Sequence, residues 1–477
     1  MNMKPLLSLL FMITVQASAQ DKITNLHTLF DTLSARKDFS GCVLMAENGK
    51  VVYEKAIGYA DADKGIPLSI NTLFELGSVS KQFTAMAIMQ LKEQGKLSYD
   101  DALGKYFPAL LFKGVTIRHL LTHTSGIPDV LGWNKQQLDT SRVNYNADIL
   151  QKLPQVYDST IFAPGTLFSY SNTNYLLLAQ IVEKVSGEPF PVYMKTHVFI
   201  PAGMKRTMVY SRRSAKKTVT DYALSYAWDP RNNKFMEADS MAPGHYNYYL
   251  DGIAGPYGIS SNVEDLLQWD QALYTEQLVK KATLEEAFTP FHLKDGNAGY
   301  GEGADYGFGW ILSVDSARGR VTWHSGSWAS YTSVMARYTD KHKTIILLSN
   351  SEQRQPVMTL MGLVDHILFD TPYTLPEKIN LPHSIIVADK QLQTLTGSYK
   401  SILVPGMQML ITAKGDRLFA KLSTQASFEI YPSSDTSFFY TIVPATIKFE
   451  KETPSAQQKL TLYQNGQEYI MIREHQQ

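Results

Sequence analysis

The sequence predicts an α+β fold: an antiparallel sheet flanked by helices, with a large helical insertion, followed by a small all-β C-terminal domain. Three observations carry this. Two hairpin patterns stand far apart, one near residue 48 and one past residue 330, with mostly helical sequence between them. Strands from both ends of a chain around a helical middle complete one sheet. From residue 392 onward the pattern becomes short alternating strands with turn residues between them, which reads as an antiparallel barrel or sandwich.

The 477 residues exceed one ordinary domain, and 44% hydrophobic with 19% charged residues is a globular composition. Lys+Arg and Asp+Glu both total 45, so no net field points to nucleic acid or an anionic membrane. Lys4, the apolar run Leu6 to Val15 and Ala17-Ser18-Ala19 read as a signal peptide over residues 1–19. The run is far shorter than the roughly 20 residues that span a bilayer. An exported chain starting at Gln20 is expected, periplasmic in a Gram-negative source, with no transmembrane segment. The one cysteine, Cys42, cannot form an internal disulfide and reads as a small buried hydrophobe.

In chain order, an amphipathic helix is expected from Ile23 to about Ala35. Strands Cys42 to Ala46 and Val51 to Ala56 follow, joined through Asn48-Gly49, a strong hairpin signal. The second hairpin joins Tyr331 to Arg337 with Thr344 to Ser349, and a last helix spans about Pro356 to Phe369. The catalytic domain is thus placed at 20–371. Pro372, Pro376 and Pro382 mark a linker over 372–391. The small β domain, 392–477, is read with strands Gln408 to Thr412, Leu418 to Leu422, Phe438 to Ile442, Thr446 to Phe449, Leu460 to Gln464 and Glu468 to Ile472.

Three short motifs carry chemistry. Ser78-Val79-Ser80-Lys81 opens an apolar stretch through Phe83, Met86, Ile88 and Leu91, read as a buried helix. A lysine one turn beyond a serine lies on the same face. Once desolvated it can be neutral enough to take the hydroxyl proton. Tyr170-Ser171-Asn172 follows a Pro164-Gly165 turn and precedes a helix over about Thr173 to Val185. His324-Ser325-Gly326 follows the apolar strand Val321-Thr322-Trp323, where a glycine lets a substrate backbone approach. A second Ser-x-x-Lys, Ser214 to Lys217, lies in a charged run and reads as solvated surface, and Tyr-x-Asn recurs at Tyr463 to Asn465 within the β segment.

In this order and setting, the three motifs resemble those of serine β-lactamases and penicillin-binding proteins. Tyrosine in the second motif resembles the class C β-lactamase and D-alanyl-D-alanine carboxypeptidase branch, which also holds esterases and D-aminopeptidases. Phe74-Glu75-Leu76-Gly77, the run Ile117 to Gly126, Pro201-Ala202-Gly203-Met204, Gly258 to Ser261 with Asp265 and Trp269, and Tyr306 to Trp310 extend the likeness over about residues 25–370. The resemblance implies a β-lactamase/transpeptidase-like fold without a cofactor. Ser78 would be acylated, with Lys81 and Tyr170 sharing the acid and base work. Asn172 would bind the substrate amide. The N–H groups of Ser78 and Ser327 would form the oxyanion hole, with Gly326 and His324 lining the substrate.

Two positions depart from that pattern. Relatives of the β-lactamase type usually carry lysine where this chain has His324, and a Gly-aromatic pair where it has Ser330 and Tyr331. An ordinary histidine, with a pKa of about 6.5, would be neutral at pH 7.5 and charged at pH 5.5. Slow acylation by penicillin with poor turnover is therefore expected, quickening in mild acid unless loss of the Lys81 or Tyr170 base dominates there.

The function implied is an exported serine hydrolase, D-alanyl-D-alanine carboxypeptidase-like, acting on a small molecule or peptide such as a peptidoglycan stem peptide. The alternatives are an esterase, a D-aminopeptidase, a weak β-lactamase, or a penicillin-binding sensor that acylates without turnover. His119 and His123 share metalloprotease spacing, but Leu120 replaces the needed glutamate, so they read as packing residues. No Gly-x-Ser-x-Gly elbow is present. Tyr246, Tyr248 and Tyr249 read as a packed loop or a cleft wall.

Overall fold

The computed structural model describes residues 21–216, 218–241, 246–293, 299–301, 303–351, 354–423, 425, 427–441, 443–450 and 457–474. The expected signal peptide and Lys217 lie outside these. The chain forms two units: residues up to Tyr226 with Glu237–Ile379, and Ala227–Met236 with the chain from Asn380 onward.

The first unit is built on an eight-stranded antiparallel sheet. Its strands are β1 (Gly41–Glu47), β2 (Lys50–Ile57), β3 (Gly299–Gly301), β4 (Ala304–Tyr306), β5 (Ile311–Asp315), β6 (Gly319–Trp328), β7 (Tyr331–Tyr338) and β8 (Lys343–Ser349). The spatial order is β3-β4-β5-β6-β7-β8-β1-β2, so the two expected hairpins meet through β1 and β8. The β1–β2 turn has Asn48 and Gly49 at φ 52° and 73°, the left-handed pair that a two-residue hairpin of matching twist requires.

The run Cys42 to Ala46 is apolar without alternation because both faces of the sheet are covered. Cys42, Leu44 and Ala46 join the core beneath the helical insertion, while Val43 and Met45 face the other way. There they pack against helix α1 (residues 21–36) and the late helix Val357–Leu368. Within the insertion run α2 (Lys81–Glu93), α3 (Asn172–Ser186), α4 (Val263–Ala272) and α5 (Lys281–Ala287). Every residue of α2 from Lys81 to Leu91 is buried. Phe83 lies 4.5 Å from the Trp269 ring and 5.7 Å from that of Phe199, so Phe83→Ala would cost about 3–5 kcal/mol.

The second unit contains a closed barrel of eight antiparallel strands. Gly397–Ser401 pairs with Gln467–Arg473 to shut it, with Tyr399 opposite Arg473. Two of the eight, Gly397–Ser401 and Ser427–Pro432, escape the sequence pattern. The first sends a single large apolar side chain, Tyr399, inward, so closure rather than local propensity makes it a strand. A short helix, Asp389–Thr394, straddles the boundary drawn at 391/392 between linker and β domain, because Leu392 and Leu395 belong to the barrel core. Residues 227–236 also join this unit: Trp228 Nε1 donates to the Pro382 carbonyl (2.7 Å), and Arg231 pairs with Glu429 (2.7 Å). No helix among the described residues is long and apolar enough to cross a membrane.

Candidate active site

Ser78 sits in a single 3₁₀ turn, Gly77–Ser80, and the α-helix proper begins at Lys81. The expectation that Ser78 opens an α-helical turn is corrected in that detail. Gly77, at φ 53°, turns the chain sharply between strand Phe74–Glu75 and α2. The turn is tied down by Leu76, whose N–H donates to Ile259 (2.9 Å) and whose carbonyl accepts from the Ser333 hydroxyl (2.7 Å).

Lys81 Nζ lies 3.0 Å from Ser78 Oγ, 2.9 Å from Asn172 Oδ1 and 3.0 Å from the Pro256 carbonyl. The lysine is fully buried, and burial lowers its pKa to about 7, opposed in part by the Asp129 carboxylate. Its amine stands 4.7 Å from the centre of the Tyr170 ring. The Tyr170 hydroxyl hydrogen-bonds the Ser78 side chain, while burial pushes its pKa upward. Ser78, Lys81, Tyr170 and Asn172 therefore converge, although the last two lie about ninety residues beyond the first two.

Asn172 begins α3 and is fixed from outside the three motifs. Its backbone N–H and its Nδ2 both donate to Asp129 Oδ2, at 3.1 and 2.9 Å. That orientation turns Oδ1 toward Lys81. The Tyr170 turn is held by His123. The His123 carbonyl accepts from Ser169 N–H (2.9 Å), and its Nδ1 accepts from Ser171 N–H (3.2 Å) and lies 3.2 Å from Asn174 Nδ2. The His123 and Tyr170 rings lie 4.2 Å apart, and burial holds the imidazole well below its ordinary pKa. The packing expected of His123 is thus packing against the second motif. His119 does something else, accepting the Thr116 N–H in a capping box (3.2 Å).

The third motif lies inside β6 rather than after it. A Cβ at Gly326 would stand 2.1 Å from the Leu76 carbonyl oxygen and 2.8 Å from the Ser78 nitrogen. A Cβ at Gly77 would stand 2.7 Å from the Ser327 nitrogen. Two bare backbones thus run side by side and bring the Ser78 and Ser327 amides together, which is what an oxyanion site needs.

His324 differs from expectation. Its ring is buried, Nδ1–H donates to the Ser325 carbonyl (2.6 Å), and Nε2 accepts from the Tyr306 hydroxyl (3.0 Å). Burial, reinforced by Lys81, lowers its pKa to about 3, so the ring does not charge in mild acid. Tyr246 and Tyr248 are partly exposed, whereas the Tyr249 hydroxyl is bonded to the Trp133 carbonyl (2.8 Å). Ser214 hydrogen-bonds Ser211 (2.6 Å) and Tyr145 (2.9 Å), away from the cluster.

Asp129 escaped the motif analysis, while Tyr306 and Glu75 stood within stretches that carry the resemblance but received no role of their own. Asp129 carried only a weak turn signal after Pro128, and Tyr306 lay in a glycine-rich strand end. Glu75 is buried behind the Ser78 turn among Arg212, Arg213, Asp239 and Asp251, and burial raises its pKa to about 7. The Arg213–Asp251 contact there is 2.5 Å.

The Beta-lactamase family model matches residues 26–366. Penicillin-binding protein 4* of Bacillus subtilis (strain 168) is 38% identical over 455 residues, 95% of this chain and 99% of that protein. The crystal structure of a penicillin-binding protein from Bacillus halodurans superposes with a TM-score of 0.62 at 26% identity, over 71% of this chain and 98% of that one. An octameric penicillin-binding protein homologue from Pyrococcus abyssi shares the fold at a TM-score of 0.61 and 23% identity, over 94% of this chain and 99% of its own.

Proposed function

The chain belongs to the beta-lactamase family and is a serine hydrolase of that fold; on that premise we propose that it works through a Ser78 acyl-enzyme as a D-alanyl-D-alanine carboxypeptidase-like peptidase. The observation that carries the reading is Lys81, buried, 3.0 Å from Ser78 Oγ and with its pKa lowered to about 7. A neutral amine at that place accepts the hydroxyl proton as Oγ attacks the carbonyl carbon. The oxyanion forms against the Ser78 and Ser327 amides. The proton passes through Lys81 and the Tyr170 hydroxyl to the leaving amine as its bond to the carbonyl breaks. Water then attacks the ester, giving up its proton along the same pair, and Ser78 is restored. Asn172 presents its second amide hydrogen to the substrate, because the first is held by Asp129.

Export, and periplasmic residence in a Gram-negative source, rest on the pattern of residues 1–19. With export, stem peptides ending in D-alanine become the leading substrate class. Neutral His324 favours a second reading, turnover of uncharged esters or D-amino acid amides, since the third motif supplies no fixed cation for a carboxylate.

Two measurements test this. Ser78→Ala is expected to abolish labelling by a fluorophosphonate while Ser214→Ala leaves it intact; labelling that survives Ser78→Ala removes the nucleophile assignment. Turnover of D-Ala-D-Ala peptides, p-nitrophenyl esters, D-amino acid amides and a chromogenic cephalosporin then ranks the substrates. A stable adduct with no turnover of any of them would make the protein a sensor.

A further inference from the structure

The eight barrel strands run up and down, so alternate connections fall at the same end. Segments 402–407, 423–426, 440–444 and 465–466 share one end, and 415–416, 433–436 and 450–458 share the other. The two ends differ in charge. No residue of the first four segments is charged, whereas the other end carries Asp416, Asp435 and Glu450 with Lys414, Arg417 and Lys459 beside them. The uncharged end exposes aliphatic side chains instead. Ile402, Leu403 and Val404 are 55%, 69% and 39% accessible in succession, and Val443 is 38% accessible. Single apolar residues are ordinary on a surface, but three in a row at a tip are a liability unless something apolar receives them.

The backbone of that tip is bonded from within. Ser401 Oγ accepts the N–H groups of Leu403 (3.3 Å) and Val404 (3.0 Å). The Ile402 N–H donates to the Ile470 carbonyl (3.3 Å) and the Met407 N–H to the Val404 carbonyl (3.2 Å). Pro405, which has no N–H, and Gly406, at φ 78°, are the central pair of that last turn. Hydrocarbon demands such a backbone, because no water is there to bond an open amide. A protein interface typically adds about one hydrogen bond per 100–200 Å², and these donors are already committed. The nearest charges along the chain, Lys400, Lys421 and Glu468, each stand two residues from one of the loops. Lys400 pairs with Glu474 (2.5 Å), so this collar is neutral. Tyr463 stands at the same level, 37% accessible, as tyrosines do at a lipid–water boundary. We propose that this end of the barrel docks on a lipid surface. Ile402, Leu403 and Val404 enter the boundary between headgroups and acyl chains, and the neutral collar rests among zwitterionic headgroups.

The test uses the chain from Gln20 onward, so that the apolar run Leu6 to Val15 contributes nothing. It is sedimented with sucrose-loaded vesicles of phosphatidylcholine and phosphatidylethanolamine. The wild type is expected to pellet with them. Binding should change by less than about twofold in about 0.5 M NaCl or with about a third phosphatidylglycerol, since the docking end has no net charge. Leu403→Asp should lower binding about tenfold or more. Ile386→Asp, at a 99% exposed position outside these loops, should leave it unchanged. Both variants should keep the wild-type circular dichroism and turnover of a soluble ester, which separates lost docking from lost folding. Because Cys42 is buried, a polarity-sensitive dye on Leu403→Cys labels the tip alone, and its emission should shift to the blue on vesicles. A wild type that does not pellet would overturn the proposal, as would full binding of Leu403→Asp. Binding that needs phosphatidylglycerol and is lost in salt would overturn it too, since that is adsorption by charge. If the wild type self-associates, Leu403→Asp is monomeric and vesicles recruit neither, the occupant is a second copy of the chain and the lipid proposal falls.

Discussion

Asp129 Oδ2 accepts from both the backbone and the side chain of Asn172, and Asn172 in turn accepts from Lys81. The same carboxylate opposes the burial that lowers the Lys81 pKa. Asp129→Asn keeps the shape and removes the charge. Lys81 then loses a stabiliser of its ammonium form, so the acidic limb of the kcat/KM profile is expected to move to lower pH. Asn172 loses a charge-assisted acceptor, and kcat should fall about tenfold. A limb that stays in place or moves upward would show that Asp129 does not act on Lys81.

The pH dependence should follow Lys81 and not His324. With a pKa of about 7, the amine is about 75% neutral at pH 7.5 and about 3% neutral at pH 5.5. Acylation of Ser78 by a p-nitrophenyl ester or by benzylpenicillin is therefore expected to slow about 25-fold across that interval. This reverses the quickening in acid that an ordinary histidine would give. His324 is held to about 3, so His324→Gln should leave the midpoint of the limb unmoved. Stopped-flow rates for the ester and intact-mass time courses for the penicillin adduct check it; a rate that climbs toward pH 5.5 contradicts it.

Gly326→Ala tests the close passage of β6 over the Ser78 turn. The added methyl would meet the Leu76 carbonyl oxygen at 2.1 Å, a backbone group that cannot swing away from a Cβ itself fixed to the β6 backbone. A loss of about 3 kcal/mol in unfolding free energy is expected, with labelling of Ser78 reduced even in the folded fraction. A variant as stable and as readily labelled as the wild type would mean that the turn has slack.

Local sequence revealed the hairpins and the three motifs because each is written in neighbouring residues: Asn48-Gly49 for a turn, Ser78 to Lys81 for one helical turn. What stayed hidden depends on partners far along the chain. Asp265 accepts the backbone N–H groups of Lys205, Arg206 and Thr207, at 3.1, 2.8 and 2.7 Å, which joins two stretches that look unrelated in sequence. His324 reads as a titrating group from its type alone; its burial and its bond to Tyr306 come from β4, on the far side of β5. The barrel strand Gly397–Ser401 is likewise defined by its partners, since one inward tyrosine makes no alternating pattern.

We propose that the catalytic unit folds alone, with one refinement to a simple cut at the C-terminal side. Residues 227–236 belong with the barrel, so a chain ending at Ile379 would leave that hairpin without its partners. A chain ending there and carrying a short turn in place of 227–236 should remain folded by circular dichroism and react with fluorophosphonate at Ser78. Insolubility or an inert Ser78 would tie the barrel to the integrity of the cleft.

The pairing of Gly41 with Ser349 sets a clock on biosynthesis. Just over three hundred residues separate these partners, and a ribosome adds about 5–20 residues per second. The β1–β2 ribbon therefore leaves the ribosome about 15–60 s before β8 exists to cover its open side. For that interval Cys42 to Ala46 is an apolar strand with unpaired backbone groups, the kind of edge that recruits other chains. Over that interval the open strand is expected to recruit a holding chaperone. Variants that speed pairing within the finished chain would not shorten the wait.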